Sequence, residues 1–98
     1  MPSDCIEEIV QYFFAEVLER KSVGRDENFF ELGGYSMLAF RLIGNLEDAF
    51  GAPVPLRLIF EAPTPAEFSA AIRQELRDNA VDLVRIAQAW ERMRLTIS

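Results

Sequence analysis

An all-α bundle is the fold class that this 98-residue sequence predicts, on three observations. Apolar residues return at three- and four-residue steps in successive segments, as single buried helix faces require. No stretch of useful length alternates apolar and polar residues as a strand does. Prolines 53, 55, 63 and 65 punctuate the periodic segments, and connections that are mostly short favour antiparallel neighbours in a bundle.

The first helix is expected from Asp4 to about Arg20, with Ile6, Ile9, Val10, Phe13, Phe14, Val17 and Leu18 on its buried face. Ser3 or Asp4 is placed to cap it, and Glu7, three residues after Asp4, completes a capping box. Residues 21–35 pass from polar (Lys21, Ser22, Asp26, Asn28) to apolar (Phe29, Phe30, Leu32) and end in Gly33-Gly34 and Tyr35. They read as a long loop pinned to the core by its aromatic pair.

A second helix spans Ser36 to Phe50, with Gly51 as its stop. At the helical angle of about 100° per residue, Leu38, Ala39, Leu42, Ile43, Leu46, Ala49 and Phe50 fall on one arc, and Met37 and Phe40 lie off it. Pro53 and Pro55 break the chain. Leu56 to Phe60 offers about a turn and a half of helix, which Pro63 ends. Thr64-Pro65 is an N-cap and first-turn pair that opens a fourth helix through Phe68, Ala71, Ile72 and Leu76. Beyond Asp78, Leu83, Ile86, Trp90, Met93 and Ile97 share a stripe opposite Arg85, Gln88 and Arg92, an extra C-terminal amphipathic helix. The organisation is thus a bundle over 1–78 and an extension over 79–98.

Composition excludes much. A chain of this length hides only about 60–65% of its unfolded surface, too little to house a deep dry catalytic cavity as well. It has no histidine and one cysteine, which removes Ser-His-Asp, Cys-His and His-ligated zinc chemistry, Cys-rich metal sites and an internal disulfide. The lone Cys5 reads as structural or incidental, and a cytoplasmic setting is expected. The formal charge is −6, a field that repels nucleic acid and anionic lipid. That charge is uneven, since residues 1–78 carry 14 acidic and 7 basic side chains and the extension carries 2 and 3. No apolar run approaches the roughly 20 residues that a bilayer requires.

The run that carries chemistry is Asn28-Phe29-Phe30-Glu31-Leu32-Gly33-Gly34-Tyr35-Ser36-Met37-Leu38. Two glycines allow a tight turn, and Ser36 falls at the cap or first residue of the next helix, where a hydroxyl projects outward. A phosphoester there gains roughly 0.3–1 kcal/mol from the free amides and partial positive charge of a helix start. As a nucleophile Ser36 is weak: Leu38 stands where a hydrolase elbow has its second glycine, no strand precedes it, and no histidine can take its proton. Read from the residues alone, it is a helix cap or a modification site.

The same run resembles the modification motif of peptidyl (thiolation) carrier domains of nonribosomal peptide synthesis. Pro55-Leu56-Arg57-Leu58-Ile59-Phe60-Glu61-Ala62-Pro63-Thr64 is similar to the family's third-helix signature, and the two lie at the family's usual separation. With the first-helix pattern, the resemblance covers about residues 4–77. It implies a four-helix bundle of acyl-carrier type that catalyses no bond change. It also implies that a phosphopantetheinyl transferase attaches 4′-phosphopantetheine from coenzyme A to Ser36, the arm then holding an aminoacyl, peptidyl or other acyl group as a thioester. Further partners implied are an adenylation enzyme and condensation, thioesterase or tailoring enzymes. Tyr35, Met37, Phe40, Leu58 and Ile59 are expected at the docking surface.

Two positions depart from the family pattern. Tyr35 stands where His or Asp is usual, and Phe40 stands where a small or polar residue is usual. Phe40 lies about one turn below Ser36 on the same side, and either tucks against the loop of Phe29 and Phe30 or joins Met37 and Tyr35 in an apolar rim. Polyketide and fatty-acid carriers differ in an acid-rich second helix, whereas here Glu47 and Asp48 come late. Leu83, Ile86, Trp90 and Met93 would pack on the bundle, dock another protein or associate with a second copy, a monomer being expected. The initiating Met1 suggests a free-standing carrier, and an excised module would read the same. The alternatives are a polyketide or fatty-acid type acyl carrier and a non-modified helical interaction domain, and cargo and pathway are not written in the residues.

Overall fold

The computed structural model describes residues 5–78 and 88–92. Four helices follow one another: α1 (Cys5–Leu18), α2 (Ser36–Phe50), α3 (Arg57–Glu61) and α4 (Pro65–Asp78), and residues 88–92 add a helical turn. α1 packs against both α2 and α4, and the short α3 rests on α4. The expected caps Ser3 and Asp4 and the stripe residues Leu83, Ile86, Met93 and Ile97 lie outside the described residues.

Local chemistry sets most of the helix ends. α1 stops at Leu18, two residues short of the expected Arg20, because Glu19 turns into the left-handed region at φ 56°. The Glu19 amide then donates to the Glu16 carbonyl and the Arg20 amide to the Ala15 carbonyl at 2.9 Å, a Schellman ending made without glycine. α2 ends as expected at Gly51 (φ 65°), whose amide reaches back to the Glu47 carbonyl at 2.8 Å. At the start of α4 the Thr64 hydroxyl accepts from the Glu67 amide and donates to the Glu67 carboxylate, with Pro65 in the first turn.

The core is aromatic at its centre. Phe14 of α1 meets Phe29 edge to face at 5.2 Å and Phe68 of α4 at 5.9 Å, all three fully buried. Ala39, Leu42, Ile43, Leu46 and Phe50 supply the buried face of α2, with Leu38 and Ala49 half-buried at its margins. Phe13 and Leu18, expected inside, are half-buried flanks of α1.

The loop between α1 and α2 is fastened at several points. The Phe29 amide donates to the Pro63 carbonyl at 2.8 Å, and the Ala66 amide to the Arg25 carbonyl at 3.0 Å, so the loop is tied to the α3–α4 junction. Gly34 then passes against Phe29. A Cβ on Gly34 would stand 2.4 Å from two ring carbons of Phe29 and 2.7 Å from its carbonyl oxygen. Only a hydrogen fits there. Both carboxylate oxygens of Glu7 accept from the Arg25 guanidinium, at 2.9 and 3.1 Å.

Two outcomes follow from these ties. Gly34→Ala is expected to cost about 1–3 kcal/mol as an overpacked site, measured by chemical denaturation, because the backbone oxygen of Phe29 cannot swing aside. The Arg25 guanidinium holds the Glu7 carboxyl below its ordinary value of 4.5. A lowered folded pKa places the pair's contribution above that value and removes it as pH falls through the folded one. The stability difference between wild type and Arg25→Met, at most about 1 kcal/mol for so exposed a partner, should therefore be flat at neutral pH and vanish in acid.

Candidate functional site

The loop that leads into α2 is shaped by one side chain and two glycines. The Asn28 side-chain carbonyl accepts from the amides of Phe30 (2.8 Å) and Glu31 (3.2 Å), closing an Asx turn. The Leu32 amide returns to the Asn28 carbonyl and the Gly33 amide to that of Phe30. Gly33 sits at φ 104°, a conformation that side chains rarely adopt, and the Gly34 amide donates to the Phe29 carbonyl at 3.0 Å. Asn28 belongs to the motif run, yet hydropathy patterning assigns it no role of its own. The signal that points to it is the ability of Asn to bond backbone amides two residues on.

Tyr35 then extends (φ −145°, ψ 179°), and its carbonyl accepts from the Ala39 amide at 2.9 Å as the first bond of α2. Ser36 is accordingly the first helical residue, and Tyr35 is the cap position, with no side-chain bond to the helix. Ser36 is exposed, and among the described residues its hydroxyl meets no hydrogen-bond partner. The amides of Ser36, Met37 and Leu38 likewise find no acceptor among the described residues, and the first turn carries no acid. Three free N–H groups and the positive end of a fifteen-residue helix thus converge beside one free hydroxyl.

Around that hydroxyl lies an apolar rim. Tyr35, Met37 and Phe40 are each more than half exposed. Phe40 therefore does not tuck against the loop of Phe29 and Phe30, and it stands one turn below Ser36 on the open side.

The expectation for α3 needs correction. Leu58 and Ile59 are 4% and 0% exposed and belong to the core, so neither presents a side chain to a partner. Their neighbour Phe60, absent from the expected docking set, is more than half exposed. Its ring stacks on Phe30 at 5.3 Å with an interplanar angle of 16°, so α3 offers an aromatic face continuous with the site loop. Three successive apolar residues on one turn cannot all point inward, and that crowding is the signal that one of them must face out.

Trp90 of the expected C-terminal stripe is buried against α1, where its indole N–H donates to the Glu8 carboxylate at 2.9 Å. Among the described residues no cluster of His, Cys, Asp or Glu could hold a metal ion, and no helix is long and apolar enough to cross a membrane.

Comparison with known proteins agrees with this geometry. The family model described as "Phosphopantetheine attachment site" matches residues 7–72. A dimodular nonribosomal peptide synthase of Bacillus subtilis (strain 168) is 37% identical over 92 residues, which is 94% of this chain and 4% of that protein. Surfactin synthase subunit 3 of the same organism is 34% identical over 92 residues, 94% of this chain and 7% of that protein. The chain thus spans only a small fraction of these synthetases. Among solved structures, a nonribosomal PCP domain superposes with a TM-score of 0.63 at 35% identity, covering 67% of this chain and 84% of that one. BlmI, a type-II acyl-carrier-protein from Streptomyces verticillus involved in bleomycin biosynthesis, gives 0.73 at 30% identity, covering 76% and 89%. A bundle whose glycine loop delivers a free serine to the start of its second helix, matched over this much of its length, belongs to the phosphopantetheine attachment-site family as a peptidyl carrier domain of the nonribosomal peptide synthetase type.

Proposed function

We infer that Ser36 is the residue that takes the 4′-phosphopantetheine arm, delivered from coenzyme A by a separate phosphopantetheinyl transferase. The observation that carries this reading is the free hydroxyl at the first position of α2, beside three amides without an acceptor among the described residues. A phosphodiester at that oxygen lies where a helix start favours negative charge by roughly 0.3–1 kcal/mol. The arm supplies a terminal thiol on which an acyl group is held as a thioester.

The domain's own residues position and present, and they perform no bond change. Asn28, Gly33 and Gly34 shape the loop, Phe29 fixes it to the core, and the helix start orients the attached phosphate. The chain has no histidine, the commonest general base, and activation of the hydroxyl falls to the transferase in this reading. Adenylation, condensation, thioesterase or tailoring enzymes then meet the arm. Attachment to a flexible tether raises the effective concentration of cargo at whichever of them has docked.

The rim of Tyr35, Met37 and Phe40 is the docking surface in this reading, because exposed aromatics and methionine are the residue types that anchor interfaces. Phe60 on its Phe30 platform extends that surface in place of Leu58 and Ile59. The first half of α2 carries no acid, with Glu47 and Asp48 placed late, which favours a partner with an apolar contact face and the peptidyl over the fatty-acid type. The segment 79–98 is a separate extension of the carrier domain.

Incubation with coenzyme A and a phosphopantetheinyl transferase should add the mass of one phosphopantetheine to the wild type and none to Ser36→Ala; a gain that survives the substitution would reject the assignment. Phe40→Ala should leave stability within about 0.5 kcal/mol, as for exposed positions generally. It should slow loading by the cognate adenylation enzyme by about tenfold, the effect of an interface anchor worth some 1.4 kcal/mol.

A further inference from the structure

α1 carries an aromatic face that the bundle itself does not cover. Tyr12 and Phe13 meet edge to face there at 5.0 Å. The Trp90 ring lies 5.3 Å from Tyr12, also edge to face, and 6.4 Å from Phe13. Its Nε1–H donates to Glu8 Oε2 at 2.9 Å, and only 4% of the residue is exposed. An indole so placed has its apolar body packed and its one polar group bonded. The family match ends at residue 72, so this contact ties α1 to a segment beyond the matched module.

We propose that Glu8, Tyr12 and Phe13 form a receptor surface for an indole-bearing segment, and that its occupant is this chain's own C-terminal segment, clasped in cis through Trp90. The clasp closes an apolar patch that would otherwise favour association between molecules. It also stands clear of the serine. Phe13 shares a surface cleft with Asn45, Asp48 and Ala49, at the far end of α2. Asp48 is twelve residues beyond Ser36, about 18 Å along the helix axis. The Trp90 contact can therefore stay in place while an enzyme works on Ser36.

Trp90 is the only tryptophan of the chain, so its fluorescence in the full-length protein reports the clasp. Blue-shifted emission with weak acrylamide quenching is expected, in a chain whose mass does not change with concentration. Tyr12→Ala should move the emission toward that of free tryptophan. Trp90→Ala should lower Tm by on the order of 10 °C and leave the rate of phosphopantetheine loading unchanged. Solvent-like emission in the wild type, no response to Tyr12→Ala, or a buried indole seen only in a concentration-dependent dimer would each overturn the cis clasp. Loading lost from a Trp90→Ala protein that remains folded would overturn its independence from the serine. The fluorescence readings do not involve Ser36, so they stand or fall separately from the carrier assignment, and Tyr12→Ala carries the test if Trp90→Ala does not fold.

Discussion

The ring of Phe29 needs the space that a side chain on residue 34 would take, and the rest of the site depends on that exclusion. Phe29 lies at the centre of the aromatic core, edge to face with Phe14. Its amide is tied to Pro63 and its carbonyl to Gly34. One residue therefore belongs to the core by its ring and to the loop by its backbone. The glycine that passes over the ring turns the chain directly into α2, so the position of the serine is inherited from the packing of the core.

That arrangement reconciles two demands that usually conflict. A site of attachment has to be open to large enzymes, whereas an open loop loses its shape. Here the loop is held from within by Phe29 and from the side by Asn28 and the Phe30–Phe60 stack, leaving the outer surface for other molecules. Preorganisation of this kind lowers the ordering cost of each encounter, which matters for a domain that, in the proposed role, meets several partners in turn. The apolar rim at Tyr35, Met37 and Phe40 costs solubility in isolation. The net charge of −6 works against that cost by keeping molecules apart.

What the residues reveal unaided depends on how local the deciding interaction is. The limits of α2 are legible directly, because Gly51 ends it by its own backbone preference, and Met37 and Phe40 stand off the apolar arc by angle alone. α1 ends before the periodic pattern does, since Glu19 takes a left-handed conformation that glycine normally marks. α3 shows the opposite limit. Over five residues the period cannot say which of Leu58, Ile59 and Phe60 faces inward; that choice belongs to α4 and to Phe30, both distant in sequence. Likewise the stripe containing Trp90 is visible in the sequence, but its acceptor at Glu8 lies 82 residues away, beyond the reach of any pattern.

With the arm on Ser36, as proposed, the open start of α2 also couples modification to folding. The free amides of Ser36, Met37 and Leu38 line up only when the helix exists. In the unfolded chain the same three groups point at random into water. A phosphodiester carried on Ser36 meets this aligned set in one state and not in the other, so its attraction adds to the folding free energy alone. On that assignment, loading of the arm and tightening of the bundle form one thermodynamic cycle, in which the loaded protein would resist unfolding more than the bare one by the strength of that contact.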